Sequence, residues 1–221
     1  METMLTLEKP ANEVERLNAL KKYEILDTPA DGSFDRITAL ASTIFKVPIA
    51  IISLVDTDRI WFKSHHGLNV KEINRDPGLC ASAIMSKDVY VIENAKEDPR
   101  CLTNPLVAGE FGLRFYAATP LTTEDNYNLG TLCIIDQQPR KLTPQERAVL
   151  KSLGEIVMDE MNMRIAVRDT ASNVKNLASD MSEHLRVAAA NIKESSKEEI
   201  TTHLELSRMY LKNVQNQLQN L

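Results

Sequence analysis

The sequence has little that would commit it to a membrane, a nucleic acid or a metal. No apolar run approaches the length of a membrane span, and the start METMLTLEKPANEVERL has neither the basic opening nor the apolar stretch of a secretory signal. A cytoplasmic location is the expectation. Basic charge is not in excess: 26 Lys and Arg stand against 31 Asp and Glu, interspersed along the chain, for a net charge of −5. With no phosphate-tracking surface, nucleic acid is not an expected partner. Only three cysteines occur, without CxxC or Cys/His spacing. They fit a reducing compartment and offer no zinc site, so no metal is expected. Glycine is absent after Gly154 and proline after Pro144. The C-terminal region is therefore free of helix breakers, which leaves little room there for a second globular domain.

What is present is enough apolar material, 43% of 221 residues, for one domain with a real core plus an appendage. Val14, Leu17, Ala19 and Leu20 recur at helical spacing and predict a helix over Asn12–Lys22, which TPADGS then breaks. A second helix, with Ser33 as its cap, carries Phe34, Ile37, Leu40, Ala41 and Ile44 on one stripe and reaches Phe45 before Pro48. IAIISLVD is β-branched and apolar throughout, the pattern of a central strand covered on both faces. DTDR turns it into IWFKSHHGL, a partner strand with one face expected toward solvent.

Loop follows to Pro77, then a short helical stretch at Ala81–Met85 and a strand at Val89–Asn94. AKEDPRCLTNPLVAGEFG reads as loop and short helical turns over one end of the sheet. RFYAATPLT and LGTLCIIDQQP complete five strands, joined mostly by short turns. The predicted class is α+β, with a central antiparallel sheet and helices on both sides.

From LTPQERAVLKSL onward the period becomes helical. Thr143, Pro144 and Glu146 form a capping box with proline at the first helical position. A heptad seam follows through Leu150, Leu153, Val157, Val167, Ala171, Val174, Ala178, Met181, Leu185, Ala188 and Ile192, interrupted by Glu160 and Arg164. KESSKEE breaks it, and a second seam runs Ile200, Leu204, Ser207, Leu211, Val214, Leu218 and Leu221. The tail is predicted to be a coiled-coil-like helical hairpin whose seam needs a partner.

The stretches ILDTPADGSFD, WFKSHHGL, RDPGLCASAI, NPLVAGEFGLRFYAATPL and LGTLCIIDQQPRKLTPQE occur in that order. Together they resemble the GAF-domain family, in its bacterial sensory branch marked by ILDTP and WFKS, across roughly Asn12 to Arg164. The resemblance implies a sheet with the first and last helices on one face and a small-molecule pocket under loops on the other. It also implies dimers formed through the terminal helices, and it divides the chain into an N-terminal tail at 1–11, a GAF domain at 12–164 and a hairpin at 165–221. The hairpin resembles a degenerate histidine-kinase dimerisation domain.

The pocket candidates that follow are Trp61, Asp76, Leu79, Cys80, Arg114 and Tyr116, an aromatic and cationic mixture suited to an apolar or anionic ligand. Arg114 is expected to pair with Asp76 or Asp98, and packing within the sheet is an equal reading for Trp61. Cys80 is followed by Ala81 where bilin-binding relatives have histidine, so no bilin attachment is expected. Cys80 and Cys101 fall roughly where free methionine sulfoxide reductases of this fold carry two of their cysteines. Asp76, Glu97 and Asp98 nearby would raise a thiol pKa, and both cysteines are expected to line the pocket wall without covalent chemistry. Cys133, inside an apolar strand, is expected to be inert core.

In the tail, SDMSEHLRVAAANI carries His184 in a scrambled version of a kinase phosphoacceptor sequence. No glycine-rich ATP-binding segment accompanies it, so autophosphorylation by this chain alone is not expected. Three functions remain: a sensory module that binds a small molecule and signals through dimeric helices, a methionine sulfoxide reductase-like thiol enzyme, and a phosphotransfer or docking adaptor. The first is the leading expectation, with no turnover, an unidentified ligand, and a histidine kinase or other signalling protein as its partner.

Overall fold

The structure is a computed structural model that describes residues 9–101, 104–191 and 197–219. It divides into two compact units between Asn162 and Met163.

In the first unit, α1 (Glu13–Lys22) and α2 (Gly32–Phe45) precede strands β1 (Ile49–Val55), β2 (Arg59–His66) and β3 (Glu72–Asn74). Short helix α3 (Leu79–Ala83), strand β4 (Tyr90–Ile92), helix α4 (Pro105–Ala108) and strands β5 (Phe115–Thr122) and β6 (Asn128–Asp136) follow. The six strands form one antiparallel sheet in the order β3-β2-β1-β6-β5-β4. The class is α+β with a GAF-like sheet, as the sequence predicts. β1 is buried at every position, as befits a central strand. At Gly130 a Cβ would stand 1.9 Å from the Ser53 carbonyl oxygen, so glycine alone permits the close approach of β6 to β1.

Alternation splits the buried residues into two layers. One holds Phe34, Ala50, Ile52, Leu54, Phe115 and Leu132 under α1, α2 and the start of α5 (Pro144–Asn191). The other holds Ile49, Ile51, Ile60, Cys80, Tyr116 and Cys133 under α3 and the segment around α4. Helix α5 contributes Leu150, Leu153, Val157 and Met161 to the first layer. Its capping box forms as predicted: Thr143 N–H donates to Glu146 Oε2 at 2.7 Å and Glu146 N–H to Thr143 Oγ1 at 3.2 Å.

Four local expectations change. β3 appears where loop is predicted, because Glu72-Ile73-Asn74 has one apolar residue and only pairing with β2 makes it a strand. The α2 cap is Asp31, whose carboxylate accepts from Ser33 N–H at 3.1 Å. Strand β4 is confined to three residues, with the Val91 carbonyl taken by the Arg100 guanidinium at 3.0 Å. The partner strand β2 has no solvent face at Lys63, which is 3% exposed.

The second unit comprises α5 beyond Met163 and α6 (Lys197–Gln219). The expected division at 164/165 therefore falls inside one uninterrupted helix. Half-buried Val174, Met181 and His184 lie on α5, and half-buried His203 and Tyr210 with buried Ser207 on α6. The His184 ring stacks on Tyr210 at 5.3 Å and lies 6.4 Å from His203. These rings take inward positions, whereas Ala171, Ala178, Leu185, Leu204 and Leu211 of the predicted seam stay exposed. Ala188, Ile192, Ile200, Val214, Leu218 and Leu221 fall outside the described side chains.

Candidate functional site

The face under α3 concentrates polar atoms inside an apolar layer. Gly78 opens α3, and a Cβ there would meet Ile60 Cδ1 at 2.2 Å and the Arg75 carbonyl oxygen at 3.0 Å, so glycine eases the close approach of the chain to the sheet at this point. The five-residue helix then contacts β1, β5 and β6 and sets Cys80 over them. Below it, Ser53 pairs across the strands with Thr131, and their hydroxyls lie 2.9 Å apart. Tyr116 Oη donates to Cys80 Sγ at 3.3 Å. Cys133 lies buried in the same layer as Cys80. These five side chains form one buried polar nest walled by Ile49, Ile51, Leu79, Ile84 and Ile135.

Within the nest the two thiols are not equivalent. Hydrogen bonds from Cys133 and then from the Ser53, Tyr116 and Thr131 hydroxyls favour a thiolate on Cys80 and lower its pKa, against burial that raises it. Cys133 is pushed well up by its bond with Cys80 and by burial. Burial likewise raises Tyr116, and the neighbouring thiols add to this. Cys101 stands apart: burial pushes it up to about 11, Asp98 reinforces this and Arg100 opposes it. The acidic surroundings expected for both Cys80 and Cys101 thus act on Cys101, whereas Cys80 faces hydroxyls and a second thiol. Ser53 and Thr131 are the polar side chains of this layer that the sequence did not single out. Strand alternation marks Ser53, Thr131 and Cys133 as one face once β1 and β6 are paired, but the pairing itself is not written in either strand.

The six pocket candidates do not form one site. Leu79, Cys80 and Tyr116 meet as described. Trp61 belongs to the opposite layer, because Ile60 and Phe62 on either side of it point toward α3. Asp76 is exposed on the loop before α3. Arg114 is half-buried and donates to the Val107 and Leu113 carbonyls at 3.1 and 2.8 Å, holding the α4 loop instead of pairing with Asp76 or Asp98. Asp98 is taken by Arg100.

Trp61 lies where the two marker motifs converge. A cleft of about 540 Å³ is lined by Asp27, Thr28, Pro29 and Ala30 from one and by Trp61, Lys63 and Ser64 from the other. The Lys63 ammonium donates to Thr28 Oγ1 at 2.9 Å and to the Pro29 carbonyl at 2.8 Å, and lies 5.4 Å from the Phe34 ring centre. Burial lowers the Lys63 pKa, and Asp35 opposes the shift. Arg59 grips the Asp27 carboxylate at 2.6 and 2.9 Å. The motifs therefore fasten the α1–α2 connection to the sheet edge.

Helix α1 is fastened in the same way. Glu13 accepts from Arg16 at 2.7 Å and from Arg75 at 2.5 Å. Burial would raise the Glu13 carboxyl, and these two guanidinium groups outweigh it and hold it at about 2.

A wider cleft of about 1150 Å³ runs along β4. Its Arg100, Arg140 and Lys141 face Asp98, Asp136 and Glu93 respectively, so most of its positive charge is neutralised internally. Among the described residues no group of three or more His, Cys, Asp or Glu is placed to hold a metal ion, and no helix is long and apolar enough to cross a membrane.

The fold and the sequence agree on the same family. The GAF domain model matches residues 29–160. A cyclic di-GMP phosphodiesterase of Pseudomonas aeruginosa, PA2567, is 39% identical over 156 residues, which are 70% of this chain and 27% of that protein. The chain thus spans about a quarter of that relative's length. The GAF domain of a Coxiella burnetii phosphoenolpyruvate-protein phosphotransferase superposes with a TM-score of 0.54 at 14% identity, covering 72% of this chain and 97% of its own. The free methionine-R-sulfoxide reductase of Neisseria meningitidis, solved with its substrate, gives 0.52 at 16% identity, covering 74% and 99%. At such identities the two structures attest the fold alone. The matched family model and the antiparallel sheet with its helices lead to one assignment: the chain belongs to the GAF domain family.

Proposed function

We propose that this chain is a regulatory GAF module that binds a small molecule under α3 and passes the event to a signalling partner through its terminal helices, without turnover. The observation that carries this reading is the buried nest of Ser53, Thr131, Tyr116, Cys80 and Cys133. Hydrogen-bonding groups set in an apolar wall are the makings of a small-molecule site. Its roof is a five-residue helix between loops, the cheapest kind of element to displace. A ligand that lifts α3 and replaces Cys80 as partner of Tyr116 would favour one packing of the unit over another by its differential affinity for the two.

The output side rests on the helices. Leu40 and Ile44 on α2 and Val149 and Ile156 on α5 are among the large apolar side chains that the domain leaves exposed. In the second unit Val167, Leu185, Leu204 and Leu211 are exposed too. We read these as the faces that a second copy covers, so that residues 12–164 sense and 165–221 transmit, in a cytoplasmic homodimer. The likeness to part of a cyclic di-GMP phosphodiesterase supports a place beside signalling enzymes. His184, packed on Tyr210, acts in this reading as a hairpin contact and not as a phosphoacceptor.

Light scattering tests the output half. The full chain is expected at twice 24.8 kDa, and Ile156→Glu, at an exposed position of α5, shifts it toward monomer. A wild-type chain that stays monomeric at tens of micromolar would remove the dimeric mechanism. The same preparation, reduced and incubated with free methionine sulfoxide, is expected to release no methionine. Release that disappears in Cys80→Ser would establish the reductase instead.

A further inference from the structure

We infer that the cleft where the ILDTP and WFKS motifs meet is a second binding site, built for a small apolar amino acid whose carboxylate turns to Lys63 and Lys71 and whose ammonium turns to Asp35. It lies beside the α1–α2 connection, on other residues than those of the nest, and stands whether or not the nest holds a ligand.

The cleft, about 540 Å³, is of a size that encloses a small molecule, and Pro29, Ala30 and Trp61 give it an apolar wall. Its charged side chains are held from one side and left open on another. The buried Lys63 ammonium donates to Thr28 Oγ1 at 2.9 Å and to the Pro29 carbonyl at 2.8 Å. An ammonium has a third donor, and here it has no acceptor among the described residues; the Phe34 and Trp61 ring centres lie 5.4 and 6.0 Å away. Burial works against the Lys63 charge, and an incoming carboxylate would relieve it. Lys71 also lines the cleft, and among the described residues it makes no ion pair.

The carboxylates differ in the same sense. Asp27 is closed, because Arg59 takes both of its oxygens. Asp35 is fixed at Oδ1 by the Ser64 hydroxyl at 2.6 Å, and Ser64 is itself 2.9 Å from the buried Thr38 hydroxyl. Its other oxygen has no partner among the described residues, and no ion pair joins Asp35 to Lys63. Two amines and one carboxylate oxygen therefore stay available around an apolar wall. A simple anion would leave Asp35 unanswered, and a simple cation would face the lysines. A molecule with a carboxylate, an ammonium and an apolar body answers all three. Bound there, it would bridge β2 to the start of α2 and hold the α1–α2 connection on the sheet edge.

Trp61 is the chain's only tryptophan, so its fluorescence reports on this cleft. The native full chain is titrated with leucine, with isovalerate, which lacks the amine, and with isoamylamine, which lacks the carboxylate. Leucine is expected to change the emission saturably, and each of the other two to bind about tenfold more weakly, the effect of losing one charge-assisted hydrogen bond. Lys71→Gln should weaken leucine and isovalerate alike and leave isoamylamine unchanged. Asp35→Asn, which keeps an acceptor for Ser64, should erase the preference for leucine over isovalerate. Near-UV circular dichroism confirms that both variants are folded. Leucine should also slow hydrogen exchange over 24–31 and 61–66 in the wild type. No saturable change at about 10 mM, where a site of millimolar affinity is filled, would overturn the inference. So would equal responses to the three probes. Protection confined to 79–84 would overturn it as well, while supporting α3 as the roof of the sensor's site.

Discussion

The two faces of the sheet come from the same alternating strands and are held by different means. Under α1, α2 and α5 the layer is mainly apolar, with Phe34, Phe115 and Leu132 at its centre, one buried hydroxyl pair between Thr38 and Ser64, and the charges of Arg16, Arg59, Lys63 and Arg75 fastening the N-terminal segment. Under α3 the layer is roofed by one short helix, and its centre is hydrogen-bonded. The first arrangement suits a scaffold, because apolar burial resists any single rearrangement. The second suits a site, because each hydrogen bond there has an alternative partner in a ligand or in water.

That contrast can be broken most forcefully from the scaffold side. Phe34→Ala removes a fully buried ring and should cost about 3–5 kcal/mol in urea unfolding, where a loss below about 1 kcal/mol would show that the layer is less tightly packed than described. The charged fastenings come next. Lys63→Met leaves the Thr28 hydroxyl and the Pro29 carbonyl without their donor and should cost about 2 kcal/mol, with faster hydrogen exchange over 24–31 as the local readout.

Glu13 gives these fastenings a pH signature. Its carboxyl is held at about 2 in the folded chain against a usual 4.5, so its contribution is complete above about pH 4.5 and is lost as the pH falls toward 2. Discounted for its partial exposure, that contribution is about 1–2 kcal/mol. Glu13→Gln should therefore be less stable than the wild type at pH 6, and the gap should narrow by pH 3. A gap that stays constant would remove the carboxylate from the latch.

The nest gives the smallest effect. Thr131→Val alone leaves the Ser53 hydroxyl short of a partner and should cost about 1 kcal/mol, whereas Thr131→Val with Ser53→Ala should cost no more than either alone. Simple additivity in that cycle would mean the two hydroxyls are not a unit.

Much of the scaffold was legible in the sequence, because it follows from periodicity. The β-branched run of β1, Phe34, Ile37 and Ala41 of the α2 stripe and the capping box of Thr143 and Glu146 each carry a local signal that the fold keeps, whereas Leu40 and Ile44 of that stripe stay exposed. β3 was not legible, since a strand with one apolar residue exists only by virtue of its neighbour. Trp61 reads equally as pocket wall and as sheet packing, and its side is decided by strand parity relative to α3, which emerges only once the sheet is assembled. The same holds for Lys63: a lysine in an alternating strand reads as solvent-facing until the α1–α2 connection is laid over it. Cys133 reads as core from the apolar run of β6, and it is fully buried there. In the tail, the rings of His184 and Tyr210 displaced the leucines that a heptad count favours.

Native mass spectrometry of the full chain, run beside a denaturing spectrum, tests the sensor claim most directly. A dimer whose native mass exceeds twice the chain mass by a small molecule that denaturation releases is the expected result. A monomer at the bare chain mass, unchanged when small-molecule extracts are added, would contradict it.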